Sequence, residues 1–362
     1  MVECLLREQE AESSNLFIQT IFYKKGSKEG QIMRYTHFKS ADVDVSQMAV
    51  GTWAIGGKRY GDVDEKESIE AIRAMLEGGV NLIDTAPGYG VGHSEEVVGK
   101  AIKGLDRSKL FIATKFGISA TTMKAQKTGD GSLRDSSYES VLYECEQSLR
   151  RMGTDYIDFY LMHWPDYDTP VEETASALNH LKEQGKIRFV GLSNVTEELI
   201  TEFQKYTEVN AVQLAFSMVV RKDRPLMEWV HEKGIDTMTY GSLGAGILTG
   251  AFRTPPQFAE NDYRNSFYPF FKDPEFSQVM KVLEVMDRIS AETGKPLAQI
   301  AINWSNSKDF VSTCLCGVRN VAEAKENCAT FDWDLTPEQV RMLDEAIEKN
   351  LEFDGSAEKY KR

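Results

Sequence analysis

Four side chains stand at matched points of this sequence. Asp84 closes the apolar run of "NLIDTA", and Tyr89 follows in the glycine-rich "PGYGVG". Lys115 lies near the end of "LFIATKFG", and His163 near the end of "YIDFYLMHW". Taken singly, each has an ordinary explanation: a turn-capping aspartate, a packed tyrosine, a snorkelling lysine, a hydrogen-bonded core histidine. Taken together, they form a proton-transfer set. A buried Asp84–Lys115 pair keeps Lys115 charged, and that cation is expected to favour the phenolate of Tyr89. Tyrosine ordinarily titrates near pH ~10. Lowering that value would make Tyr89 a workable acid or base near neutrality. A His163 ring N–H aimed at the same point polarises a carbonyl and stabilises a developing alkoxide. The chemistry is carbonyl reduction, with the hydride brought by a cofactor.

For the four to meet, consecutive strands must deliver their ends to one face. The chain alternates β-branched runs with amphipathic segments. "MAVGTWAIG" (Met48 to Gly56), "NLIDTA", "LFIATKFG", "YIDFYLMHW", "IRFVGLSN", "AVQLAFS", "DTMTYGSL" and "VSTCLCGV" read as eight strands. Between them, Ile69, Ile72, Met75 and Leu76 fall on one helical stripe that Gly78-Gly79 stops. A helix is expected to start at Ser94, with Glu95 and Glu96 suiting its N-terminus. Val141, Cys145, Leu149 and Met152 line another helix over 138–152, and a further helix over 172–184 ends at Gly185. Strict alternation predicts parallel pairing with right-handed crossovers, and the span fits a closed α/β barrel, the (β/α)8 TIM barrel. A doubly wound open sheet would carry GxGxxG after its first strand, and "GTWAIGG" does not match. In the barrel, Asp84, Tyr89, Lys115 and His163 share the catalytic mouth.

Composition narrows the partners. The net charge of −14 argues against nucleic acid and against an acidic membrane surface, and no apolar run is long enough to span a bilayer. Cys4, Cys145, Cys314, Cys316 and Cys328 are odd in number and form no CxxC pair, which fits a reducing cytoplasm rather than a disulfide framework or a zinc site. Cys314 and Cys316 read as strand core. No histidine spacing indicates a metal. Residues 1–32 carry no signal-peptide pattern. Two readings stand: Met33 is the biological start, with "KEG" encoded by a ribosome-binding-like stretch, or 1–32 is a short flexible extension. Residues 33–362 read as one barrel domain.

The segments "DTAPGYG", "TKFG", "HWP", "GLSN", "QLAFS" and "CGVRNVAEAKEN", in that order from about Val50 to Asn327, resemble the aldo-keto reductase superfamily. "YGSLGAGILTG" and the "DYRN" loop look most like its bacterial branch of general-stress and inositol-catabolism reductases. Other branches have Tyr-Ser-Pro where this chain has Tyr240-Gly241-Ser242. The resemblance implies a (β/α)8 barrel and a nicotinamide dinucleotide bound without a Rossmann motif. It implies Tyr89 as proton donor, Asp84 and Lys115 as its tuning pair, and His163 as the group that orients the carbonyl. Ser193, Asn194 and Gln213 would hold the carboxamide, and Tyr240 would stack on the nicotinamide. Gly241, Ser242 and Leu243 would offer backbone N–H groups to the pyrophosphate. Gly317, Val318 and Arg319 lead into a helix N-terminus suited to a phosphate. Glu326 and Asn327 match adenine contacts, and Thr52 and Trp53 would border cofactor and substrate.

Family usage favours NADP(H), with Arg319 facing the 2′-phosphate. Glu323, where relatives often have Gln or Arg, repels a phosphate and accepts from a ribose hydroxyl, so it argues for NAD(H) or dual use. The substrate would be an aldehyde or ketone of sugar or polyol type, interconverted with its alcohol. The alternative is a redox-sensing or regulatory subunit that binds the cofactor with incidental turnover. Tyr263, Phe267, Tyr268, Phe270 and Phe271 either form an apolar lid or pack on neighbouring helices. The tail "LEFDGSAEKYKR" either closes over the mouth or frays.

Overall fold

The computed structural model describes residues 33–57, 64–118, 122–124, 134–260, 262 and 264–355. The two readings of 1–32, Tyr263 and the last seven residues of the tail lie outside the described residues.

The chain enters through an antiparallel hairpin, β1 (Tyr35–Phe38) and β2 (Val43–Ser46). Eight parallel strands follow: β3 (Met48–Gly51), β4 (Leu82–Asp84), β5 (Phe111–Phe116), β6 (Ile157–Met162), β7 (Ile187–Ser193), β8 (Ala211–Ala215), β9 (Asp236–Tyr240) and β10 (Thr313–Gly317). They close in sequence order, with β10 paired to both β3 and β9. All eight expected strands are present. The first is shorter than expected: it ends at Gly51, and Ala54–Gly56 is a 3-10 turn.

The outer layer is α1 (Glu65–Glu77), α2 (His93–Ile102), α3 (Tyr138–Met152), α4 (Val171–Glu183), α5 (Glu197–Phe203), α6 (Arg224–Glu232), α7 (Glu275–Thr293), α8 (Leu297–Asn306), α9 (Val321–Cys328) and α10 (Pro337–Asn350). Helix α1 buries Ile72 and Met75 of its expected stripe, while Ile69 and Leu76 are half-buried against the core. Asp64 caps α1 by accepting from Glu67 N–H, and Gly153, at φ 63°, ends α3 in the left-handed region. The stripe of Val141, Cys145, Leu149 and Met152 is buried, as are Cys314 and Cys316 in β10. Helix α2 starts one residue earlier than expected, at His93, and Ser94 and Glu95 are buried.

The barrel lumen is filled by small and large apolar side chains, among them Ala49, Leu82, Ala113, Leu161 and Met238. At its N-terminal end the hairpin acts as a stopper. Phe38 is wholly buried and meets Phe159 edge-on, with ring centroids 5.8 Å apart. The hairpin turn is tied to β8's approach: Ser40 Oγ donates to Asn210 O at 2.7 Å, and Asn210 Nδ2 returns a bond to Ser40 O at 2.9 Å.

The aromatic segment after β9 divides. Tyr268, Phe270 and Phe271 are buried with Phe252, Phe258 and Phe353, so they are packing. Phe267 reaches the mouth, 6.1 Å from the Trp53 ring. The described part of the tail does not fray: Arg221 N–H donates to Asp354 O at 2.7 Å, and the Arg221 side chain to Phe353 O at 2.6 Å.

Candidate active site

Asp84 is the last residue of β4, and Lys115 the last but one of β5, so both point into the mouth. Lys115 Nζ donates to both Asp84 oxygens at 2.8 and 2.9 Å and to Thr85 O at 2.9 Å, and lies 3.3 Å from the Tyr89 hydroxyl. The His163 ring stands edge-on to Tyr89, with centroids 5.8 Å apart at 80°. Trp53 borders Tyr89 at 6.4 Å. The four residues expected to converge therefore do.

Local folding fixes each of them. Tyr89 N–H donates to Ala86 O, and Tyr89 O accepts from Ser94 N–H. Gly90, at φ +67°, lies so close to the preceding loop that an added Cβ would stand 2.1 Å from Gly56 O. No larger residue fits there. His163 N–H donates to Phe116 O at 3.0 Å, and its carbonyl accepts from Asn194 Nδ2 at 2.9 Å.

Burial dominates the electrostatics. It pushes the Asp84 carboxyl up and the Lys115 ammonium down, and each partner's charge opposes the shift in the other. The two-point contact offsets part of the desolvation cost of the pair. Tyr89 departs from expectation. Burial first, and then the negative charge of Asp84, hold its phenol well above its ordinary value of 10.0. The nearby cation is expected to lower it, but desolvation and the Asp84 charge outweigh Lys115 at the phenol. Burial, and then Lys115, keep His163 well below its ordinary 6.5, so the imidazole is neutral. Its Nδ1 is buried without a partner.

The residues expected to hold a dinucleotide follow around the same rim, and several are engaged with the protein. Thr52 is wholly buried and donates to Asp84 O at 2.9 Å, so its hydroxyl faces inward rather than bordering the pocket. Ser94 Oγ donates to Thr52 Oγ1 at 2.7 Å and contacts Thr85 Oγ1 at 2.9 Å, completing a hydroxyl clasp on the Asp84 backbone. Gln213 Nε2 donates to Asp84 Oδ2 at 2.7 Å. Asn194, at φ +58°, donates to Ser193 Oγ at 3.0 Å and accepts the Tyr240 hydroxyl at 2.7 Å. Buried polar groups need partners, and these have found them in one another.

Further along, Ser242 and Val318 are buried, Gly241 and Leu243 are half-buried, and Gly317 and Glu326 are exposed. Asn327 is buried and donates to Gly317 O at 3.4 Å. Glu323 is bound to Arg319 itself, accepting its guanidinium at 2.8 Å and its backbone N–H at 2.9 Å. The residues fit a dinucleotide. The orphaned Nδ1 and the open space at Gly241, where a Cβ would meet nothing within 4 Å, are the features a bound polar ligand would use.

Glu95 and Glu144 are two of several further buried carboxyls; Asp135, Asp158, Asp236 and Asp262 are others. Glu95 accepts from Thr114 Oγ1 at 2.6 Å and from Arg151 Nε at 2.6 Å, and Glu144 accepts from Gly117 N–H at 3.2 Å. Their signal in the sequence was position: each lies on the apolar stripe of its helix.

A closed (β/α)8 barrel with this mouth defines a class of oxidoreductase, and the chain belongs to the aldo/keto reductase family, whose profile matches residues 47–348. Its activity is thereby NAD(P)H-dependent carbonyl reduction. It is 34% identical to aldo-keto reductase YhdN of Bacillus subtilis (88% of this chain, 95% of that protein). It is 33% identical to the NADH-specific methylglyoxal reductase of Escherichia coli (85% of this chain, 97% of that protein). Among solved structures, glycerol dehydrogenase AKR11B4 from Gluconobacter oxydans superposes with a TM-score of 0.75 at 30% identity, covering 88% of this chain and 95% of its own. Among the described residues, no helix is long and apolar enough to cross a membrane, and no cluster of potential metal ligands occurs.

Proposed function

We propose that the chain reduces a small aldehyde or ketone, with Tyr89 as proton donor. The observation that carries this reading is the contact series Asp84–Lys115–Tyr89, with Lys115 Nζ 3.3 Å from the phenol and His163 against its ring. The nicotinamide, when bound, supplies the hydride to the carbonyl carbon. The protein's own groups manage the oxygen. Neutral His163 offers a ring N–H to the carbonyl oxygen and orients it. As negative charge develops there, the Tyr89 hydroxyl releases its proton to the oxygen, giving the alcohol. Lys115 stabilises the phenolate left behind, and Asp84 holds Lys115 in place. A phenol held above its ordinary value stays protonated through the neutral range, which suits a donor in the direction of reduction. Trp53 and Phe267 wall the substrate.

Ser193, Asn194, Gln213 and Tyr240 would receive the nicotinamide end by exchanging partners within their own network. The backbone of Gly241 to Leu243 and of Gly317 to Arg319 would take the phosphates, with Glu326 and Asn327 towards the adenine. Because Glu323 already holds the backbone N–H and one guanidinium nitrogen of Arg319, a 2′-phosphate would have to share Arg319 with a carboxylate. This favours NAD(H) or dual use over strict NADP(H). Four buried, unpaired thiols suit a reducing cytoplasm.

The test is parallel consumption of NADH and NADPH with methylglyoxal, glyceraldehyde and ketosugars, and the reverse reaction with glycerol and inositol-type polyols. Turnover of at least one carbonyl, with NADH serving no worse than NADPH, is expected. No consumption with any of them would overturn the enzymatic reading.

A further inference from the structure

Glu144 is a wholly buried carboxyl that the proposed chemistry does not use. It sits on the inner face of α3, wholly buried, behind the end of β5. Its Oε1 accepts from Gly117 N–H at 3.2 Å and from Ser140 Oγ at 3.4 Å, while Oε2 is buried without a partner. Gly117 is two residues beyond Lys115 and turns the chain at φ +84°. The same turn carries a second tie, Asp135 N–H to Gly117 O at 3.2 Å, and the residue before it accepts His163 N–H at 3.0 Å. The Glu144 side chain thus helps fasten the point where the Lys115 strand ends and the His163 backbone docks.

We propose that Glu144 is a positioning residue: through Gly117 it fixes the exit of β5, and with it the placement of Lys115 and His163. The proposal rests on the roles given to those two residues above. Three further titratable groups face Glu144: Asp135 from the segment before α3, Glu95 from α2 (paired with Arg151), and Tyr160 from β6. The acids supply like charge. Burial, aided by Asp135 and Glu95, pushes the Glu144 carboxyl from 4.5 up to about 8. The neutral acid therefore occupies the site at pH 7. Above pH about 8 the group becomes an anion with one oxygen unpaired. Gly117 and Ser140 both favour the anion, but turning the unpaired oxygen towards water would pull the carboxylate away from Gly117. The linkage has a definite sign. With its pKa raised on folding, the folded protein holds a proton that the unfolded chain gives up, so stability from this group falls as pH rises from about 4.5 to about 8 and is level above that.

The experiment compares Glu144→Gln, Glu144→Leu and Lys115→Met. Reduction of 4-nitrobenzaldehyde by NADH and NADPH is followed across pH 5–10, alongside cofactor binding and thermal unfolding. Glu144→Gln keeps an acceptor for Gly117 and cannot ionise. It should retain kcat within about twofold at pH 7 and lose the alkaline fall of kcat near pH 8. Its Tm relative to the parent should rise by about 4 °C or more between pH 5 and pH 8. Glu144→Leu should lose about tenfold or more in kcat with cofactor affinity retained. An unchanged pH profile in Glu144→Gln overturns the proposal even if Glu144→Leu does not fold, and so does parental kcat in Glu144→Leu. Lys115→Met separates the two readings: if it still reduces the aldehyde at the parental rate, the catalytic assignment itself fails, whatever the Glu144 variants do.

Discussion

The two ends of the barrel are closed by opposite means. At the N-terminal end the β1–β2 hairpin drives Phe38 against Phe159, and an apolar plug is ringed by polar ties: Ser40 with Asn210, Ser46 with Asn81 and Thr313, and buried Asp236 with Ser312. At the C-terminal end an ammonium, a carboxylate, an amide and several hydroxyls fill the same cross-section, each bonded to the next. The first arrangement is stabilised by removing hydrocarbon from water. The second tolerates desolvated charge because every partner is in place, and so it is poised to react. Stability and chemistry should therefore be separable between the two ends.

Tyr89→Phe should break the mouth most severely. It removes the transferable proton while leaving the ring packed against His163 and Trp53, so kcat for carbonyl reduction should fall by about 10²–10⁴. Cofactor affinity by fluorescence titration and the Tm should stay close to the parent. Undiminished reduction would remove the proposed acid, and retained binding with lost turnover would set aside the regulatory-subunit alternative. Phe38→Ala is the mirror experiment. Emptying the stopper should cost about 3–5 kcal/mol in urea unfolding with kcat preserved. A loss of turnover equal to the loss of folded protein's stability would show that the ends are coupled. Glu323→Gln is the mildest probe and acts at the edge of the mouth. Freeing Arg319 should shift the ratio of kcat/KM values towards NADPH by about threefold to fivefold, since exposed pairs are worth up to about 1 kcal/mol. An unmoved ratio would show that Arg319 does not meet the cofactor's ribose.

The strands were legible because each is a short apolar run ending in punctuation, and the quartet because three strand ends carry groups that are awkward to bury singly. The hairpin was not: Phe38, Val43 and Val45 are too few to stand out beside the longer barrel runs. Nor were the partners of Thr52, Gln213 and Asn327 legible, because which acceptor a side chain meets depends on register between strands distant in sequence. Ser193 lies opposite Gln213 only because β7 and β8 pair as they do. Charge on Tyr89 was misread for a related reason. Lys115 is legible as a neighbour, but the depth of burial and the opposing charge of Asp84 belong to the folded barrel. Glu95 and Glu144 were passed over because glutamates usually face water.

Gly56 and Gly90 meet backbone to backbone, with no room for even a methyl group between them. The two loops they belong to are therefore one mechanical part. Anyone reshaping the pocket by grafting a foreign loop after β3 would have to transplant its mate after β4 as well, or shift the phenol that the second loop carries.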